Sequence, residues 1–161
     1  MAKKRSAEVF IDTGAFVAWL VAADRQHEAT SELFANLDGP LTTSMAVVSE
    51  TYSFFLHRFG EDAARTFRSA LATLPRLTLL PIDLKHFAAV GKKLDHLRGV
   101  KLTWVDASSL VFLKERRLAT VWGTDSDLSL EGATVLPGPP WSSPAQQRLE
   151  RVDAHRPTVS L

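Results

Sequence analysis

The chain has no cysteine, a single tyrosine and two methionines in 161 residues. Without cysteine there is no disulfide framework and no thiolate metal site, which fits a reducing cytoplasm. Charge imbalance is missing too: 19 Lys and Arg stand against 18 Asp and Glu, a formal net charge of +1. That excludes a strong global pull toward polyanions, so any nucleic-acid partner must be held by local patches. No run of ~18 uninterrupted apolar residues occurs, so no membrane helix is expected. Lys3, Lys4 and Arg5 ahead of an apolar stretch ending in Ala22-Ala23 imitate a secretory signal. Asp12 speaks against one, because a mid-segment Asp costs about 2.5 to 3.5 kcal/mol on insertion scales. What is present is ordinary for a soluble globular chain: 45% hydrophobic and 23% charged residues, long enough for one compact domain.

Short β-branched runs alternate with longer helical patterns, the signature of a parallel sheet with helical crossovers. The strand candidates are "EVFID" (8–12), "LTTS" (41–44), "RLTLLPID" (76–83), "ATVWGTD" (119–125) and "ATVLPG" (133–138). Helical patterns cover 15–22, 28–37, 45–59, 61–74, 84–97 and 102–118, with Ser44 and Thr103 as N-cap candidates. The fold class is therefore α/β: a three-layer α/β/α domain over residues 1–138 with a central parallel sheet of four or five strands. Residues 139–161 are rich in Pro and Ser and read as a flexible tail, with a short helix allowed over 143–153.

In an open parallel sheet ligands bind outside the carboxyl ends of the strands, and here those ends are acidic. Asp12 ends the first strand; Asp125 ends the fourth, with Asp127 just after it. Glu50 lies about two turns into the helix begun at Ser44, with the small Ala46 and Ser53 at helical spacing. Asp106 falls in the first turn of its helix, where the backbone dipole favours negative charge. Each acid also has a structural reading. Asp12 before Thr13-Gly14 fits a helix cap, Thr103 with Asp106 fits a capping box, and Asp125 with Asp127 fits a turn. Glu50 fits the wet face of a long helix. What favours function is that four acids from separate segments would meet on one rim of the sheet, without an equal number of basic partners near them in sequence. Carboxylates so gathered repel unless a cation neutralises them, and oxygen ligands without Cys or clustered His select Mg²⁺ or Mn²⁺.

The ordered set "VFIDTGAF", "TSMAVVSET", "LTWVDASS" and "WGTDSDL" resembles the acidic signature of the PIN-domain nucleases, and within them the VapC toxins of bacterial toxin-antitoxin pairs. "DRQHEA" around His27 resembles a stretch between the first two helices of that family. The likeness spans residues 8 to about 138, and its most recognisable part is the T-x-x-D-A of Thr103 to Ala107. One departure is Leu128, where an aromatic residue is often found. The resemblance implies Mg²⁺ or Mn²⁺ held by Asp12, Glu50, Asp106 and Asp125, with Asp127 a fifth acid or a turn residue, and cleavage of RNA. It also implies an antitoxin partner and a homodimer formed through early helices.

Thr13, Ser44 and Thr103 offer hydroxyls to outer-shell bonds or to substrate phosphate, although capping explains them equally. Positive charge for RNA is available from Lys114, Arg116 and Arg117 on the Asp106 helix, from Lys3, Lys4 and Arg5, and from Arg58. The five His residues show no metal spacing, and Trp19, Trp104 and Trp122 read as core. Two other function classes stay open. One is a non-catalytic RNA- or protein-binding module on this fold. The other is a Mg²⁺-dependent phospho-acceptor or phosphatase-type domain, which would need a second acid beside Asp12 that "DTG" lacks.

Overall fold

A computed structural model describes residues 7–140. Lys3, Lys4, Arg5, Trp141 and the helix allowed over 143–153 lie outside the described residues, as does the expected tail apart from Pro139 and Pro140. Five short strands, β1 (Val9–Ile11), β2 (Leu41–Ser44), β3 (Leu77–Leu80), β4 (Thr120–Gly123) and β5 (Thr134–Pro137), form one sheet in the order β3-β2-β1-β4-β5. Every pairing is parallel, with Val9 opposite both Leu41 and Thr120. Parallel strands need helical crossovers. These are α1 (Thr13–Leu20) and α2 (His27–Ala35), α3 (Met45–Phe59) and α4 (Glu61–Thr73), and α5 (Leu84–His96) and α6 (Trp104–Glu115).

The strand order steps outward from β1 to β3 and then restarts at β4 on the other side of β1. Right-handed crossovers therefore put α1 to α4 on one face and α5 and α6 on the other, the expected three layers. Within these layers α1 packs on α2 and α3, α3 on α4, and α5 on α6. The core fills both sides of the central strands, from Phe16, Val47, Phe55 and Phe67 on one and Leu110, Phe112 and Leu113 on the other. Trp122 is buried and Trp19 packs against the same core, whereas Trp104 joins a smaller cluster with Val90, Ala107 and Val111.

All expected strands and helices are present; apart from α1 and α2, which start two and one residues early, each observed element falls inside its expected range. The first helix begins at Thr13 rather than at residue 15, because Asp12 is already the extended residue before it. β3 stops at Leu80: Pro81 lacks an N–H to continue the ladder, and Asp83 is committed to capping α5, accepting from the His86 amide at 2.7 Å. α6 is buried continuously from Ala107 to Leu113, which explains why that stretch holds only apolar residues and the two small serines. A Cβ at Gly123 would lie 2.7 Å from Leu128 Cδ1, so a side chain there would require Leu128 to shift.

Candidate metal centre at the switch point

The reversal of strand order between β1 and β4 opens a crevice at their carboxyl ends, the position where such sheets bind ligands. Asp12 is the residue immediately after β1, and it is only 5% exposed. Its amide donates to the Trp122 carbonyl at 2.8 Å, tying it to β4. It sits at the N-cap position of α1, yet its side chain makes no capping bond. Instead Oδ1 accepts from the Ser109 hydroxyl at 3.1 Å. Burial pushes the Asp12 carboxyl up to about 7, and the neighbouring charges of Asp106 and Glu50 push it the same way. The Ser109 hydroxyl pulls against that rise, as does the Gly14 amide, which lies near the carboxyl without meeting hydrogen-bond geometry. Gly14 leaves room for the β4 exit to approach: a Cβ there would sit 2.2 Å from the Thr124 hydroxyl.

Glu50, Asp106 and Asp125 are each engaged by a nearby donor. Glu50, on α3, accepts from the Thr13 hydroxyl. Asp106 completes a capping box: its Oδ2 accepts from the Thr103 amide at 2.8 Å, while its own amide donates to the Thr103 hydroxyl at 3.1 Å. Asp125 is exposed and caps the 3-10 turn Ser126–Ser129, accepting from the Asp127 amide at 2.9 Å. Burial, then Asp125, then Asp106 raise the Asp127 carboxyl. Asp106 thus acts electrostatically on Asp12 on one side and on Asp127 on the other. Among the described residues no three acidic or histidine side chains converge closely enough to enclose an ion. The donor chemistry nevertheless suits a hard cation, being all carboxylate, short of positive charge, and centred on a buried acid.

Ser44 is fully buried and caps α3, accepting from the Val47 amide at 3.2 Å. Thr103 caps α6, and the Thr13 hydroxyl is committed to Glu50. Ser109, the direct partner of Asp12, went unnoticed in the sequence. The only signal was the Ser108-Ser109 pair in the apolar middle of the helix, and Ser108 bonds His86 instead.

The basic residues of α6 lie elsewhere. Lys114 is eight positions beyond Asp106, about 12 Å along a helix at 1.5 Å per residue. Lys114 pairs with Glu131 at 3.6 Å, and Arg116 with Glu8, just ahead of β1, at 3.0 Å. Arg117 follows at the same end of α6. That end is the amino edge of the sheet, away from the acids. Arg58 is different: it lines a shallow recess of about 400 Å³ together with Glu50, Ser53, Phe54 and His57.

The model of the PIN domain family matches residues 9–130. The chain belongs to the PIN domain family. This PIN domain is 26% identical over 125 residues to the 23S rRNA-specific endonuclease VapC20 of Mycobacterium tuberculosis, in two strains, covering 77% of the chain and 94% of VapC20. The crystal structure of Mycobacterium tuberculosis VapC20, a sarcin-ricin loop cleaving toxin, superposes with a TM-score of 0.72 at 23% identity, covering 78% of this chain and 96% of that one. A chain of the VapBC2 structure from Rickettsia felis, solved with a promoter DNA fragment, superposes with a TM-score of 0.55 at 12% identity, covering 80% and 96%. PIN domains are metal-dependent nucleases as a family, and membership disfavours the phosphatase-type reading. No described helix is long and apolar enough to cross a membrane.

Proposed function

We propose that this PIN domain is a metal-dependent endoribonuclease, the toxin of a toxin-antitoxin pair, working in the cytoplasm. The observation that carries the reading is Asp12: a carboxyl buried at the switch point and pushed up to about 7 by burial and by Asp106 and Glu50 lacks a positive partner. Mg²⁺ or Mn²⁺ is the partner that suits it, held by Asp12, Glu50, Asp106 and Asp125, with Asp127 at the margin. When bound, the cation supplies charge against the phosphodiester and acidifies water. The chain does the rest. Ser109 fixes the Asp12 oxygen, Thr13 steers Glu50, and Thr103 holds Asp106 at the start of α6. The relative's name makes structured ribosomal RNA the first substrate class to test. An antitoxin partner and a homodimer through the early helices belong to the same reading.

One observation favours a second reading, a non-catalytic RNA-binding module: among the described residues the acids do not close around a common point. A single assay separates the two. The full chain is incubated with a mixed RNA pool and a sarcin-ricin stem-loop, with Mn²⁺, Mg²⁺ or chelator. Cleavage is expected only with metal. Asp12→Asn is expected to reduce it by at least about 100-fold, since even outer-shell partners of a metal are worth 10 to 100-fold. Equal cleavage by a folded Asp12→Asn variant would sink the nuclease assignment.

A further inference from the structure

On the ribonuclease reading an RNA strand must be held beside an acidic crevice, and of the cations expected to hold it Lys114, Arg116 and Arg117 stand at the opposite edge of the sheet. The recess on α3 resolves this. Glu50, Ser53, Phe54, His57 and Arg58 follow i, i+3, i+4, i+7, i+8 spacing, so they form one continuous helical face that starts at a site acid. Apart from Phe54 the face is polar and open to solvent: Phe54 is 38% exposed, and His57 and Arg58 are exposed. Phe54 is braced edge-on by Phe55 (5.7 Å between centroids, 84°) and Phe59 (6.0 Å, 68°), which fixes the ring. Among the described residues Arg58 forms no ion pair, unlike Lys114 and Arg116, and its guanidinium is available to a phosphate.

We propose that this face of α3 is a subsite for single-stranded RNA, in which Phe54 stacks on a base next to the cut and Arg58 holds the adjoining phosphate. Its occupant is set by chemistry. A fixed aromatic ring one helical turn from Glu50, followed by a free cation one turn further, matches the alternation of base and phosphate along a strand leaving the acidic crevice. Phe54 and Arg58 are positioning residues; they act by orienting the strand over the acids.

Binding is measured with the full chain carrying Asp12→Asn, by fluorescence anisotropy of a labelled single-stranded 12-nucleotide RNA over a range of salt. Arg58→Ala is expected to weaken binding and to reduce the slope of log K against log[salt] by about 0.7, one phosphate contact on a single strand, while Arg58→Lys retains the slope. Phe54→Ala is expected to weaken binding about tenfold and Phe54→Trp to preserve it. The double change Arg116→Ala, Arg117→Ala at the other edge is expected to change neither the affinity nor the contribution of Phe54. Unchanged affinity and slope in both Phe54→Ala and Arg58→Ala would overturn the subsite, and it would do so without touching the nuclease reading if the wild type still cleaves RNA through Asp12. A change in sedimentation with unaltered RNA affinity would make this face a protein interface and likewise overturn it. Absence of metal-dependent cleavage in the wild type defeats the nuclease reading instead, and is read separately from the anisotropy.

Discussion

At the scale of single residues, the chemistry of the site rests on one unfavourable placement. Asp12 is ionised in water at ordinary pH, but in the fold its carboxyl is raised to about 7 by burial and by two like charges. A carboxyl with a folded pKa above its unfolded one takes up protons on folding between those values, so the metal-free protein is expected to lose stability as pH rises from about 4 to about 7. The upper bound on that loss is about 4 kcal/mol, from 1.36 kcal/mol per pH unit. Asp12→Asn removes the ionisation while its side-chain oxygen still accepts from Ser109. In chelator at about pH 8 this variant is expected to melt above the wild type, the two curves converging near pH 4. Parallel pH profiles in urea titrations would show that Asp12 carries no such penalty. Gly14→Ala should act through sterics alone: the new Cβ meets Thr124 at 2.2 Å to the hydroxyl and 3.1 Å to the amide nitrogen. Overpacking of that kind costs about 1 to 3 kcal/mol, readable as a lower urea midpoint at unchanged m-value.

At the scale of elements, one local bond network both shapes a helix and holds an acid of the proposed site. The Thr103–Asp106 capping box starts α6 and at the same time holds the Asp106 carboxylate in place. Thr103→Ala is expected to cost about 1 kcal/mol of stability and to lower RNA cleavage as well, whereas Thr103→Ser should restore both. Ser44→Ala also removes a cap, from α3, but its hydroxyl touches no acid; about 1 kcal/mol of stability should go while cleavage by the folded fraction stays. The contrast between the two variants is the measurement. Elements were the most legible part of the sequence, because periodicity and cap residues are local signals. Ser44 and Thr103 mark their helix starts in the structure as they do in the sequence. The ends of β3 were less legible, since "RLTLLPID" reads as one strand until Pro81 and the Asp83 cap are given their separate roles.

At the scale of the whole molecule, legibility fell where distance along the chain and distance in space part company. Lys114, Arg116 and Arg117 look close to Asp106 in the sequence, but a helix of this length carries them to the far edge, where Glu131 and Glu8 engage Lys114 and Arg116. Ser109 was hidden for the converse reason, being 97 residues from the Asp12 it bonds. The strand order, which places β1 beside β4 and so sets Asp12 next to the Asp125 loop, leaves no local trace either. Because the acids come from four separate segments, a cation that joins them should stabilise the fold as a whole. At a concentration a hundred times its Kd, a ligand bound only by the native state adds about 2.7 kcal/mol. Mn²⁺ or Mg²⁺ is therefore expected to raise the melting temperature by several degrees, more at about pH 8 than near pH 6, where the cation must displace a proton from Asp12. Asp12→Asn should lose most of this shift. An equal shift in wild type and variant at both pH values would place the cation on surface carboxylates, not at the switch point.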